Sequence, residues 1–198
     1  PREDFLMIKD LVYRSRSYRR FYKDAAVSME TLRELVDLAR HSASAGNLQP
    51  LKYVLSCEAA TNTLIFQHLA WAAYLKDWPG PVEGERPGAY IIILGDTSIS
   101  KTPSVDHGIA CQSMLMGAVE KGLGGCIIGS IKRDGLRQAL EIPDHCEILL
   151  VLALGKPKEQ VKVEYIDREG DIKYWRDAQG VHHVPKRRLE DLIVRQFT

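Results

Sequence analysis

The sequence predicts an α+β or mixed α/β domain, and three observations carry that prediction. Helical and strand-like segments interleave without strict βαβ alternation. The run "AYIIILGD" at 89–96 is continuously apolar and rich in isoleucine, the mark of a buried strand. The stretch from Val105 to Lys121 is apolar on most sides, as expected of a central, covered helix. A chain of 198 residues is long enough to bury a substantial core. No linker, repeat or low-complexity segment divides it, so residues 1–198 read as one domain.

Each element follows from local pattern. Phe5, Leu6, Ile8, Leu11 and Val12 trace a helical face that runs to about Tyr13. The basic stretch "RSRSYRRF", Arg14 to Phe21, comes next. Ser28 caps a second helix, whose apolar stripe is Met29, Leu32, Leu35, Val36 and Ala39. The segment "HSASAGNLQP" is small, polar and loop-like, and Tyr53 to Ser56 reads as a short strand. Thr61 to Leu75 looks helical. Prolines and glycines make Asp77 to Gly88, "DWPGPVEGERPG", a loop of more than usual length, the kind that often carries function. Beyond the central strand and helix, "GLGGCIIGSI" turns on glycine into a strand. Lys132 to Leu140 is a short helix, Ile148 to Leu154 a second buried strand and Val161 to Ile166 an edge strand. The tail "VPKRRLEDLIVRQF" ends in a helix.

Composition narrows the function classes. An apolar fraction of 45% and a charged fraction of 27% are those of an ordinary globular protein. The net charge of +1 argues against a nucleic-acid binder, which would carry a broad positive excess. Cys57, Cys111, Cys126 and Cys146 lie far apart without a CxxC pair, so a reducing cytoplasm is the expected compartment. No apolar run approaches a membrane span and no signal peptide is visible. His182 and His183 are adjacent and point apart, as do His145 and Cys146, so no metal site is expected. No GxSxG elbow accompanies the serines and histidines.

Four stretches carry candidate chemistry. Arg16 and Arg19, with Ser17 between them, suit a phosphate, because the guanidinium fork donates two hydrogen bonds at once. A solvated charged turn is the alternative. In "SAGNLQP", Ser44, Asn47 and Gln49 offer groups that donate and accept, and Gly46 allows close backbone approach. By itself this is a generic loop. Gly122 to Ile131 lacks the order of a dinucleotide fingerprint and has no Walker lysine. Its glycines either bring a backbone N–H near a flat ring or cap a helix at Gly122 or Gly124. Lys186 and Arg188 face the same way in an extended segment, or else begin a solvated helix. Asp106 and His107 open the central helix, where the N-terminal dipole favours Asp.

Taken in order, these pieces resemble the nitroreductase-like family of FMN-dependent oxidoreductases. "SYRRF" resembles the family's Arg-Arg-Ser-x-Arg-x-Phe element, and "SAGNLQP" its Pro-Ser-x-x-Asn-x-Gln-Pro loop. "DHGIACQSMLMGAVEKGLGGCIIG" is similar to its central helix and glycine-rich segment. "LALGKP" resembles the next strand, and "PKRR" the C-terminal Lys-x-Arg pair. Three positions depart from the pattern: Ser15 in place of arginine, Ala43 in place of proline and Leu51 in place of an aromatic residue.

The resemblance implies a three-layer α+β sandwich on a mainly antiparallel sheet, and an intertwined homodimer with FMN at the subunit interface. It assigns Arg16, Ser17 and Arg19 to the first FMN-binding element, with Arg19 near the flavin pyrimidine edge. Ser44, Asn47 and Gln49 come from the partner subunit, Ile128 and Gly129 lie beside flavin N5, and Lys186 and Arg188 pair on the phosphate. The implied activity is ping-pong transfer from NADH or NADPH through FMN to a nitroaromatic, quinone or similar small acceptor, with no nucleic-acid or membrane partner. Reductive dehalogenation, other specialised family chemistry and non-catalytic FMN binding stay open. The loop Asp77 to Gly88, with Trp71, Tyr74 and Trp78, is a candidate cap over the flavin.

Overall fold

The computed structural model describes residues 7–103 and 105–197. Phe5 and Leu6 of the expected first helix lie outside the described residues. The helices are α1 (Ile8–Arg14), α2 (Met29–Arg40), α3 (Ala59–Gln67), α4 (Asp106–Glu120), α5 (Arg133–Ala139) and α6 (Leu189–Leu192). The strands are β1 (Leu51–Ser56), β2 (Ala89–Asp96), β3 (Gly124–Ile128), β4 (Cys146–Gly155), β5 (Val161–Ile166), β6 (Trp175–Arg176) and β7 (His182–Arg187).

β1 to β4 form one antiparallel sheet in the order β1-β2-β4-β3. The apolar run of β2 is buried at every position, because it is an inner strand with helices on both faces. Strand alternation divides its side chains between two cores. Ile91 and Ile93 join Leu152 and Leu154 of β4 beneath α2 and α4. Tyr90, Ile92 and Leu94 join Val151 and Ala153 under Ile65 of α3 and Leu136 of α5. The result is three layers. Each fully buried aliphatic side chain contributes about 1.5–3 kcal/mol.

Ser28 caps α2 by accepting from the Thr31 N–H at 3.1 Å, and the second helix begins as the sequence predicts. α4 reaches close to α2 at Gly117. A Cβ there would overlap Leu38 and approach Leu35 Cδ2 to 3.1 Å. Gly122, at φ 71°, takes the left-handed position just past α4, which a glycine adopts without steric cost.

α3 stops at Gln67, short of the Leu75 expected from sequence. Beyond it the chain is drawn into β-type pairing. Leu69 bridges Ile131, and the Ala70 N–H donates to the Ser130 carbonyl at 2.9 Å.

A second, three-stranded sheet has the order β5-β7-β6, with β5 parallel and β6 antiparallel to β7. β5 is an edge strand, as expected. The tail is a strand through Arg187 and only then the short α6, so Lys186 belongs to a strand.

Candidate functional site: a basic cleft and a separate polar loop

The basic stretch after α1 is pinned to the main sheet. Ser17 bridges Gly125 in parallel, and the Tyr18 N–H donates to the Gly125 carbonyl at 3.0 Å. Gly124 makes room for this: a Cβ there would lie 2.5 Å from Tyr18 Cδ2. Phe21 is fully buried and bridges Pro157. The arginines are thereby sorted, with Arg14 left as the last residue of α1 and outside the cleft lining. Arg20 turns to Glu85 at 2.5 and 2.8 Å, and Lys158 reaches the same carboxylate at 3.0 Å. The Arg20 hydrogen bond is the main reason that Glu85 is held down at about 2. Arg16 and Arg19 face a cleft instead.

That cleft encloses about 230 Å³, between Ser15, Arg16, Ser17 and Arg19 on one side and Tyr174, His182, Val184 and Lys186 on the other. Among the described residues, no carboxylate lines it. Arg16 donates through Nη2 to the Val12 carbonyl at 2.7 Å, while its Nε is buried without a partner. Arg19 is 9% exposed. Its backbone N–H donates to the Glu159 carboxylate, and its Nη1 to the Ser17 carbonyl at 3.3 Å. Nη1 also lies 3.2 Å from His182 Nε2, and the guanidinium sits 4.9 Å from the Tyr174 ring centre. Alternation along β7 puts His182, Val184 and Lys186 on one face, which is the cleft wall.

The loop after α2 is built on Asp106, the first residue of α4. Its carboxylate accepts from the Ser44 hydroxyl at 2.6 Å and from the Ala45 N–H at 3.0 Å. Ser44 Oγ in turn accepts from the Gln49 N–H at 2.9 Å. The Gln49 amide donates to the Asn47 backbone carbonyl and side-chain oxygen, both at 3.2 Å. Asn47 and Gln49 hold φ of 54° and 52°, a left-handed conformation that costs a non-glycine residue of order 1 kcal/mol and is maintained by this network. Ser44, Gln49 and Asp106 line a second cleft of about 300 Å³, otherwise walled by groups such as Val36, Leu51 and Tyr53.

The structure thus brings Arg16, Ser17, Arg19 and Lys186 together. It gathers Ser44, Asn47 and Gln49 elsewhere, and the two clefts share no lining residue. Arg188 stands just past β7 and pairs with Asp167 at 3.1 Å, outside the basic cleft. Ile128 is buried in the second core and Gly129 follows β3; neither lines either cleft. Because Gly125 turns its carbonyl outward to Tyr18, alternation along β3 turns the Ile127 backbone outward too, while Ile128 faces β4. Sequence reasoning passed over Tyr174, His182 and Glu159 as site residues, and read Asp106 only as a helix start. A hint lay in the alternation of β7, which puts His182 in phase with Lys186.

Trp71 is buried against Phe66, and Trp78 lies under Arg176 at 4.2 Å. Tyr74 packs on Tyr174 with ring centres 4.9 Å apart, so one of the three expected capping aromatics reaches the rim of the basic cleft.

Comparison with known proteins agrees with this architecture. The Nitroreductase family profile matches residues 12–156. A protein of Archaeoglobus fulgidus assigned as an NADH dehydrogenase/NAD(P)H nitroreductase is 25% identical over 158 residues, 76% of this chain and 85% of that one. An FMN reductase (NADPH) of Bacillus subtilis is 36% identical over 76 residues, 37% of this chain but only 30% of its own length. The crystal structure of a nitroreductase family protein from Streptococcus pneumoniae superposes with a TM-score of 0.67 at 17% identity, covering 81% of this chain and 95% of that one. Residues 157–198, which supply Tyr174, His182, Val184 and Lys186, lie beyond the family match. With a profile spanning most of its length and the α+β architecture to go with it, this chain belongs to the nitroreductase family.

Proposed function

We propose that the chain is a single-domain, cytoplasmic FMN-dependent oxidoreductase. It takes reducing equivalents from NADH or NADPH and passes them, in ping-pong fashion, to a nitroaromatic, quinone or similar small acceptor. The observation that carries this reading is the basic cleft. Among the described residues it offers Arg16, Arg19 and Lys186, two serine residues, a buried Arg16 Nε without a partner and no carboxylate. Such a donor set fits a dianionic phosphate ester.

FMN supplies the two-electron redox chemistry; the protein supplies position and field. Arg16, Ser17 and Lys186 would hold the phosphate, and Arg188 would join them only by leaving its pairing with Asp167 outside the cleft. Arg19 would stand at the pyrimidine edge of the ring, where its fixed charge would stabilise negative charge. Ser44, Asn47 and Gln49 of a partner subunit would hold the ring from their own loop, and the Ile128–Gly129 segment, which lines neither cleft of the single chain, would reach it only in the assembled site. A cleft of about 230 Å³ is smaller than the ~300–1,000 Å³ usual for a pocket of this ligand class. The separation of the two clefts gives the same indication, that the whole site forms in a homodimer.

The test is spectroscopic. The protein reconstituted with FMN is expected to show a bound-flavin absorption band that bleaches when NADH or NADPH is added anaerobically in a stopped-flow instrument, and to recover when a quinone follows. A folded sample that retains no FMN after incubation with excess cofactor ends the proposal. One that binds FMN but resists both nicotinamides is a carrier and not an enzyme.

A further inference from the structure

We propose that His182 is a positioning residue for Arg19: with the Tyr174 ring it orients the guanidinium at the cleft while leaving its positive charge unneutralised. This rests on the reading that the basic cleft holds FMN.

Arginine can only donate, so the contact of 3.2 Å between Arg19 Nη1 and His182 Nε2 makes that nitrogen the acceptor. The imidazole is therefore neutral and carries its proton on Nδ1. Burial and neighbouring charge favour the neutral ring, while the Arg19 contact alone selects the tautomer, since Nδ1 is buried without a hydrogen-bond partner among the described residues. His182 is 1% exposed; among the described residues Arg19 and Tyr174 contact it, and the charges of Arg176 and of His183, on the opposite face of β7, act on it from farther away. Burial, and then the Arg19 charge, push its pKa down to about 4. On its other side the ring packs against Tyr174, 5.2 Å between centres.

The carboxylate that touches the Arg19 backbone is already engaged. Glu159 takes the Arg19 backbone N–H and pairs with Arg176 at 2.9 Å. Among the described residues, the guanidinium of Arg19 therefore has a carbonyl, an aromatic face and a neutral imidazole as partners, but no anion. Its net charge remains available to a bound anion. A carboxylate at position 182 would orient the arginine equally well and cancel that charge, whereas a glutamine would keep an uncharged acceptor.

The experiment has two parts. In the FMN-free protein, long-range ¹⁵N spectra of labelled histidine at pH 7 are expected to report a neutral, Nδ1-protonated His182. In the reconstituted protein, His182→Gln is expected to keep FMN affinity within about threefold of wild type. His182→Glu is expected to lower the ratio of affinities for reduced over oxidised FMN about tenfold, a fall in midpoint potential of about 30 mV for a two-electron couple. His182→Leu, which removes the acceptor without adding charge, is expected to weaken FMN binding and to serve if His182→Glu does not fold.

A wild-type His182 that is protonated at pH 7, or that carries its proton on Nε2, overturns the proposal. So does a folded His182→Glu with the wild-type potential, or a His182→Leu with the wild-type affinity. Failure of the wild-type protein to bind FMN overturns the cofactor reading instead, and the histidine spectra still decide the Arg19 contact.

Discussion

Arg16 and Arg19 face the cleft because Arg20, between Arg19 and Phe21, faces away. Phe21 is sunk in the core and the Arg20 guanidinium closes on Glu85 in a two-pronged contact, with Lys158 on the same carboxylate. The Glu85 side chain is 13% exposed, so the pair is shielded more than a surface bridge. Its folded pKa is depressed to about 2, which means that its stabilisation is present above the ordinary carboxylate range and is lost as pH falls toward 2. Glu85→Gln is expected to cost about 2 kcal/mol at pH 7, in the range for a hydrogen bond to a charged group. The deficit should shrink as acid protonates Glu85 in the unfolded wild-type chain before the folded one. Urea unfolding of both proteins at pH 7 and pH 3 measures it, and an equal deficit at both values rules the ion pair out. At this scale the sequence was legible in kind but not in direction. Clustered arginines allowed an anion site or a solvated turn, and composition alone could not tell that Arg20 pairs with Glu85 while Arg19 faces the cleft. Nor does any local pattern join Arg19 to His182, 163 positions apart.

Elements were legible where one pattern dominated. The unbroken apolar run of β2 could be nothing but an inner strand, and the Ser28 cap fixed the start of α2. The end of α3 was hidden, because Leu69 and Trp71 continue an apolar stretch that tertiary pairing with Ile131 and Ser130 takes away from the helix. The small β5-β7-β6 sheet carries a device of its own. Alternation turns His183 to the face opposite His182, where Nδ1 meets Glu164 at 2.7 Å and Nε2 meets Asp177 at 3.0 Å, with Trp175 stacked on the ring. The Asp177 and then the Glu164 hydrogen bond raise the His183 pKa above its usual 6.5, and both carboxylates are lowered in return. A raised histidine contributes stability that is complete below its unfolded pKa and is lost as pH rises through the folded value. The clamp therefore works between the depressed carboxylate values and the raised histidine value. His183→Asn is expected to melt lower than wild type near pH 6, and the gap should narrow toward pH 9. Thermal melts across that range decide it, and a gap independent of pH shows that the ring acts by packing alone.

At the scale of the whole molecule, the decisive feature is that one chain keeps its two sets of candidate ligands apart. The Arg16–Arg19 stretch with Lys186 forms one cleft, and Ser44 and Gln49 another, with no residue in common. Exposed apolar side chains on α1 and the tail, such as Ile8, Tyr13, Val194 and Phe197, offer surface for a second copy. If each site combines the basic cleft of one protomer with the polar loop of the other, two different defects are repaired by mixing. A chain bearing Arg19→Ala and a chain bearing both Asn47→Ala and Gln49→Ala should each bind FMN poorly alone. Co-refolded in equal amounts with random pairing, about half of the dimers are mixed, and a C2 arrangement gives each of these one intact site and one doubly defective site. Tight FMN binding is then expected to return at about one quarter of the sites, as counted by flavin absorbance on the purified mixture. A site contained within a single chain has no such recovery, since every chain in the mixture carries its own defect to its own site. Recovery near one quarter thus speaks for a composite site, and none speaks for a self-contained one.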